Sequence, residues 1–247
     1  MSVVGDIYNA VDSAAPFNTA MEFDNVGLLA GGMDEAISRA IIALDITNEV
    51  LEEAEEKGAG LIISHHPVIF DPLKSLVKGT VPYKLASLGI NALCCHTNLD
   101  IADEVGVNSV FAEKLGLRSI EKRGNVLTGH INPITACEYA YNIKTALSAE
   151  KVTYTCGNNV IRKIAVCCGA GGGFIFEAFG NCDAFVTGEA HHDELIFAQN
   201  NHFPIIVTGH YESEKIFGSA LKGYLESRIH DVSFMLSEAE QNPVKSI

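Results

Sequence analysis

The sequence predicts an α/β protein made of two α/β halves with mainly parallel strands. Three features predict it: short apolar runs of strand length recur along the chain, helix-like segments separate them, and each run stops abruptly in polar residues or glycine. Ile41-Ile42-Ala43-Leu44 ends in Asp45, and Leu61-Ile62-Ile63-Ser64 ends in His65-His66. Between them, residues 47–57 open on Thr47, carry acidic early turns and a late Lys57, and stop at Gly58, the signature of a capped helix. Asn91-Ala92-Leu93-Cys94-Cys95 ends in His96, 31 positions after His65, an interval that suits a strand–helix–strand crossover between neighbouring strands. Residues 118–160 are less regular, punctuated by Gly124, Gly129, Asn132-Pro133 and Gly157. We place the boundary there, between an N-terminal half of residues 1–122 and a second half of residues 123–247. Ile164-Ala165-Val166-Cys167 runs into Gly169, Ala184-Phe185-Val186-Thr187 into Gly188-Glu189, and Ile205-Ile206-Val207-Thr208 into Gly209-His210. Residues 211–226 then set Ile216, Phe217, Ala220, Leu221, Tyr224 and Leu225 on one stripe of a single helix.

Composition narrows the function. The chain has 247 residues, 47% hydrophobic and 19% charged, an ordinary globular make-up. No apolar run reaches membrane-spanning length, and the N-terminus lacks a basic region before an apolar stretch, so the expectation is a cytoplasmic protein with no membrane partner. A net charge of −14 argues against nucleic acid, whose affinity comes mainly from Lys and Arg at phosphates. The seven cysteines include no CxxC pair, and adjacent residues on a strand face opposite ways, so Cys94-Cys95 and Cys167-Cys168 read as buried free thiols.

Ligands of open α/β sheets bind beyond the carboxyl ends of the strands, and four strand ends here carry histidine or glutamate. Adjacent His65 and His66 can diverge to serve two neighbouring ions; a loop of solvated histidines is the alternative. Asp100 or Asp103 supplies a hard carboxylate beside His96, unless Asp100 caps a helix and His96 packs in the core. His210 and Glu214, four apart on a helix, point along one face. Glu189 and His191 are candidates for supporting or substrate-facing roles, against a plain solvated helix face. The glycine loop 169–173 offers backbone N–H groups to an anion, but Phe174 breaks the dinucleotide fingerprint and a tight turn is the simpler reading. His130, His202 and His230 have no partner by spacing and read as structural.

Taken together, Phe23-Asp24-Asn25-Val26-Gly27-Leu28, Ala43-Leu44-Asp45-Ile46-Thr47, Ile63-Ser64-His65-His66-Pro67, His96-Thr97-Asn98-Leu99-Asp100, Val186-Thr187-Gly188-Glu189 and Gly209-His210 through Glu214 resemble the dinuclear-metal-centre family named after Ngg-one-interacting factor three. Its bacterial members are labelled GTP cyclohydrolase I type 2 homologues. The resemblance runs over nearly the whole chain. It implies metal ligands at His65, His66, Asp100, His210 and Glu214, with Glu214 bridging two ions, two α/β halves facing each other across them, and a homohexameric ring. Phe23 stands where the family usually has tryptophan, and the chain is too short for the inserted domain of longer members.

The function expected on these grounds is a metal-dependent hydrolase of the cyclohydrolase or phosphoesterase type, acting on a nucleotide or small cyclic amide. Two divalent ions (zinc, iron, manganese or nickel) would sit about 3.5–4 Å apart, with His96 outside the ligand set as general acid or base. The alternative is a non-enzymatic metal-binding or regulatory protein with the same ligands.

Overall fold

In this computed structural model, which describes residues 1–245, the apolar runs are strands buried on both faces. Among the described residues, eleven strands run in chain order: β1 (Gly27–Ala30), β2 (Arg39–Ala43), β3 (Leu61–Ser64), β4 (Asn91–Cys94), β5 (Arg118–Arg123), β6 (Val126–Thr135), β7 (Thr153–Tyr154), β8 (Val160–Cys167), β9 (Ala184–Thr187), β10 (Ile205–Val207) and β11 (Ser233–Leu236). The helices are α1 (Val4–Ala14), α2 (Asn48–Lys57), α3 (Val81–Leu88), α4 (Thr97–Asp100), α5 (Val107–Lys114), α6 (Ala136–Ala146), α7 (Ile175–Ala178), α8 (His192–Asn200), α9 (His210–Glu214) and α10 (Phe217–Glu226). All six strands expected from apolar runs are present, and the α/β class is as predicted.

The chain forms two compact units, and both are discontinuous in sequence. The first takes Met1–Gly106 and Phe217–Gln241; the second takes Val107–Ile216 and the residues from Asn242 on. This differs from the division after residue 122. It also differs from the single helix expected over 211–226, which breaks at Lys215 and Ile216 into α9 and α10. The break falls where the chain passes from the second unit back to the first. The apolar stripe lies on α10 and on Ile216 just before it, and α9, His210–Glu214, carries none of it.

In the first unit the sheet order is β1-β4-β3-β2-β11. β11, β2, β3 and β4 are parallel, with Ile41 beside Ile62 and Ile62 beside Ala92, whereas β1 runs antiparallel to β4. Val50, Leu51 and Ala54 of α2 and Leu85 of α3 bury against Ile41, Ile62 and Ala92 on one face. Helix α2 starts where the Thr47 side chain accepts from the Val50 N–H and ends at Gly58, whose φ of 64° is the left-handed turn that glycine adopts without strain. On α10, Phe217, Leu221 and Leu225 are buried. Gly218 lets this helix approach closely, because a Cβ there would stand 3.1 Å from Leu236 and 3.5 Å from Ile42.

The second sheet has the order β5-β6-β8-β9-β10-β7. Its centre, β8-β9-β10, is parallel, and antiparallel strands flank it on both sides. Phe185, Ala165 and Ile205 pack with Ile175, Ala198 and Phe203. The stretch read as irregular holds β5, β6, α6 and β7. β5 is exposed at every position and carries Arg118, Glu121, Lys122 and Arg123, so it has no apolar run to detect. Among the described residues, no helix is long and apolar enough to cross a membrane.

Glu53 on α2 ties down the chain after β11. Its carboxylate accepts from the Ser237 hydroxyl and from the Glu238 and Ala239 N–H groups, and pairs with Lys57 at 2.7 Å. Burial alone would raise its pKa, but these hydrogen bonds from Lys57, Ser237, Glu238 and Ala239 outweigh it and hold the carboxyl at about 2. A lowered folded pKa gives stability that is present above the unfolded carboxyl range and is lost as pH falls through the folded value. Glu53→Gln should therefore destabilise the protein at neutral pH by about 1–3 kcal/mol in urea unfolding. The difference from wild type should shrink as pH falls from about 4.5 toward 2. An equal difference at pH 7 and pH 2 would refute this account.

Candidate metal centre

In the first unit, the register of the sheet assembles the polar groups. Ala43, Ser64 and Cys94 lie side by side at the carboxyl ends of β2, β3 and β4, so Asp45, His65, His66 and His96 emerge together at one edge. Gly27 of β1 pairs with Cys94, and because β1 is antiparallel, the residues before it reach the same edge. That delivers Asp24 to His96.

Each of the three histidines has its Nδ1 committed to an oxygen. His65 Nδ1 lies 2.9 Å from the Cys95 carbonyl, His66 Nδ1 2.9 Å from Asp45 Oδ1, and His96 Nδ1 2.9 Å from Asp24 Oδ1. A carbonyl or a carboxylate can only accept, so Nδ1 carries a proton in each ring and Nε2 is the nitrogen left to face the site. One ligand atom from each of the three rings falls within 4.8 Å of the others. His65 Nε2 is also 3.5 Å from Asp100 Oδ1. Oxygen acceptors behind metal-binding imidazoles fix the tautomer and ring orientation in this way, so the donor set fits a divalent ion.

Asp24 holds its place firmly. It accepts from the Thr97 N–H at 3.0 Å, from the Thr97 hydroxyl and from His96. Burial opposes the charged carboxylate, but the hydrogen bonds from His96 and Thr97 more than offset it and hold the carboxyl far below the usual range. Neighbouring thiols stay protonated: burial, reinforced by the charge of Asp100, pushes Cys95 up to about 12, and burial raises Cys94 well above the ordinary thiol range. They donate to the Ser64 and His65 carbonyls, and all seven cysteines are free, as the sequence suggests.

In the second unit, His210 opens α9 directly after Gly209, and Glu214 lies one turn on. His210 Nε2 is 2.9 Å from Glu214 Oε2, and its Nδ1 is 3.4 Å from Glu189 Oε2. Glu214 is buried and Glu189 exposed. A buried carboxylate and an imidazole nitrogen at this spacing are donors that one cation can share.

The structure therefore gathers His65, His66 and Asp100 in one unit and His210 with Glu214 in the other. His96 lies near these residues, as expected, with its ring 5.1 Å from His65 and 5.5 Å from His66 between centroids. Asp103 is exposed. His191 precedes α8 and donates its N–H to Glu194 at 2.7 Å, which makes Glu194 a capping residue. His130, His202 and His230 are exposed, as their structural reading allows. The helix after the glycine loop, α7, has four residues. A Cβ at Gly171 would come within 2.7 Å of Cys167, and one at Gly172 within 2.2 Å of Glu194. These two glycines are required by close packing. Sequence reasoning missed Asp24 and Asp45 as supports of the histidines. The signal was available, since Asp45 ends an apolar run as the histidines do.

Nitrogen NMR of the metal-free protein should show a proton on Nδ1 of His65, His66 and His96. The Nε2–H form at His65 would contradict the acceptor geometry described above.

The chain is similar to several known proteins. A Campylobacter jejuni "GTP cyclohydrolase 1 type 2 homolog" is 31% identical over 223 residues, covering 88% of this chain and 90% of that protein. A Clostridium perfringens protein with the same label is 30% identical, and the match covers 99% of each chain. The crystal structure of a Staphylococcus aureus hypothetical protein, 28% identical, superposes with a TM-score of 0.93 over 99% of both chains. A Bacillus cereus protein related to NIF3, 21% identical, shares the fold with a TM-score of 0.93 over 100% of both. Residues 2–243 match the Duf34/NIF3 (NGG1p interacting factor 3) family, and the chain belongs to that family.

Proposed function

We propose that this protein is a metal-dependent hydrolase whose two divalent ions are held by His65, His66 and Asp100 from the first unit and His210 and Glu214 from the second. One observation carries the reading: three imidazoles at one sheet edge all have Nδ1 bound to an oxygen, leaving Nε2 to a cation. We assign His96 to the donors as well, because Asp24 takes its Nδ1 proton and its ring stands among the others. Bound divalent ions supply Lewis acidity for hydrolysis. The chain's own part is to aim the imidazoles through their Nδ1 partners, and to supply the carboxylates of Asp100 and Glu214.

The mixture of imidazole and carboxylate suits zinc, iron, manganese or nickel. The substrate class proposed is a nucleotide or a small cyclic amide. Support for cyclohydrolase chemistry comes from the label carried by the Campylobacter and Clostridium relatives, and GTP ring opening is the named case. Assembly as a homohexamer is part of the same proposal, and light scattering checks it.

Elemental analysis of the purified protein is expected to find about two ions per chain. His66→Ala and Glu214→Ala should each lose at least one of them. The metal-loaded protein should then turn over a member of a panel of nucleotides, phosphoesters and cyclic amides. Full loading of both variants would sink the ligand assignment. Loading without turnover across the panel would favour a metal-binding regulatory role instead.

A further inference from the structure

Three glycines follow the three central parallel strands of the second unit. Gly169 stands two residues after β8, Gly188 directly after β9, and Gly209 two residues after β10. Their backbones continue the ladder: Glu189 N–H donates to Gly169 O at 2.8 Å, and Gly209 N–H donates to Gly188 O at 2.9 Å. The Ser213 side chain, fully buried on α9, sits among them. Its hydroxyl accepts from the Gly169 N–H at 2.9 Å and donates to the His210 carbonyl at 2.8 Å. One hydroxyl thus joins the loop after β8 to the residue that opens α9.

The loop leaves no room for a side chain. Gly169 has φ 56°, and a Cβ there would stand 2.1 Å from Glu214 Oε1 and 3.5 Å from His210 Nε2. At Gly188 a Cβ would meet Ser213 Oγ at 2.5 Å and Gly169 O at 2.6 Å. The first atom met at Gly169 is the far end of a flexible side chain, so the fold can absorb an added methyl by moving the Glu214 carboxylate. A metal donor has no such latitude.

We infer that Gly169 and Ser213 are positioning residues for Glu214 and His210: the bare backbone of Gly169 sets where the carboxylate lies, and the Ser213 hydroxyl fixes the start of α9 against it. This rests on the metal reading above and adds to it a pair of residues that touch no ion. Supports of this kind change metal affinity about 10- to 100-fold when altered.

The test is a cobalt(II) titration followed by visible absorption, on wild type, Gly169→Ala, Glu214→Ala and the double variant. Gly124→Ala is the control, since Gly124 has φ 59° and open space around its Cβ position; it carries the same backbone strain without the push on Glu214. Gly169→Ala should bind one cobalt about 10- to 100-fold more weakly with an altered spectrum. Gly124→Ala should match wild type, and the double variant should be no weaker than Glu214→Ala alone. Wild-type affinity and spectrum in Gly169→Ala would overturn the inference. So would a double variant that loses the full factor of both changes, because Gly169 would then act elsewhere. Should Gly169→Ala fail to fold by circular dichroism, Ser213→Ala, which adds no volume, must show the same weakening or the inference falls. A folded wild type that takes up no cobalt overturns the metal reading itself, and this inference with it, which separates the two failures.

Discussion

Parallel strands that end in step are the constraint on which the site depends. In the first unit, Ala43, Ser64 and Cys94 are aligned across three strands, so the next residues leave the sheet at the same height. In the second, Cys167, Thr187 and Val207 are aligned in the same way. The first edge carries the polar side chains Asp45, His65, His66 and His96. The second carries glycines, and only after the third of them does a donor, His210, appear. One backbone geometry thus serves two purposes: it gathers imidazoles in one unit and builds a bare backbone platform under a helix in the other. A one-residue slip between β3 and β4 would separate His96 from His65, which is why the full burial of these strands matters to function.

The gathered imidazoles raise a second requirement. His65 is fully buried, and a buried ring nitrogen without a partner is costly, by about 1–3 kcal/mol on mutational evidence. The Cys95 carbonyl answers this for one nitrogen, and it does so with an acceptor, which fixes the tautomer. Asp45 and Asp24 do the same for rings that are less buried. Asp24 is a demanding choice, since its side chain is itself fully buried. Thr97 makes it tolerable by giving both its N–H and its hydroxyl to the same carboxylate oxygen. The stability of that anion and the aim of the His96 ring are one arrangement.

Much of this was legible in the sequence because buried parallel strands are unbroken apolar runs, and the residues after them stand out. The six strands, α2 with its cap and stop, and the clusters at His65-His66, His96-Asp100 and His210-Glu214 all follow from that contrast. What escaped had a physical reason in each case. β5 is a charged, exposed strand, so burial left no mark on it. α6 had a mark that went unread: Thr135 and Glu138 form a reciprocal cap, the Thr-x-x-Glu pattern of a helix start. The division of the chain was hidden because only Lys215 and Ile216 separate α9 from α10, and periodicity does not say which core a helix faces. Asp24 precedes a four-residue antiparallel strand, and its meeting with His96 depends on a pairing across 72 positions of sequence.

The two donor sets are held by different physics, and they should therefore fail differently. In the first unit each imidazole is set by an acceptor behind it, so a change of charge or hydrogen-bonding character is what disturbs it, while volume matters less. In the second unit Glu214 and His210 are set by the absence of a side chain at Gly169 and by a single hydroxyl at Ser213. There a methyl group is enough. The glycine-rich stretch that resembles a phosphate loop by composition is better understood from this side: Gly169, Gly171 and Gly172 lie so close to Glu214, Cys167 and Glu194 that a Cβ at any of the three would displace them. Glycine content near a strand end is evidence of close approach. What is approached decides the function, and here it is a carboxylate of the protein itself.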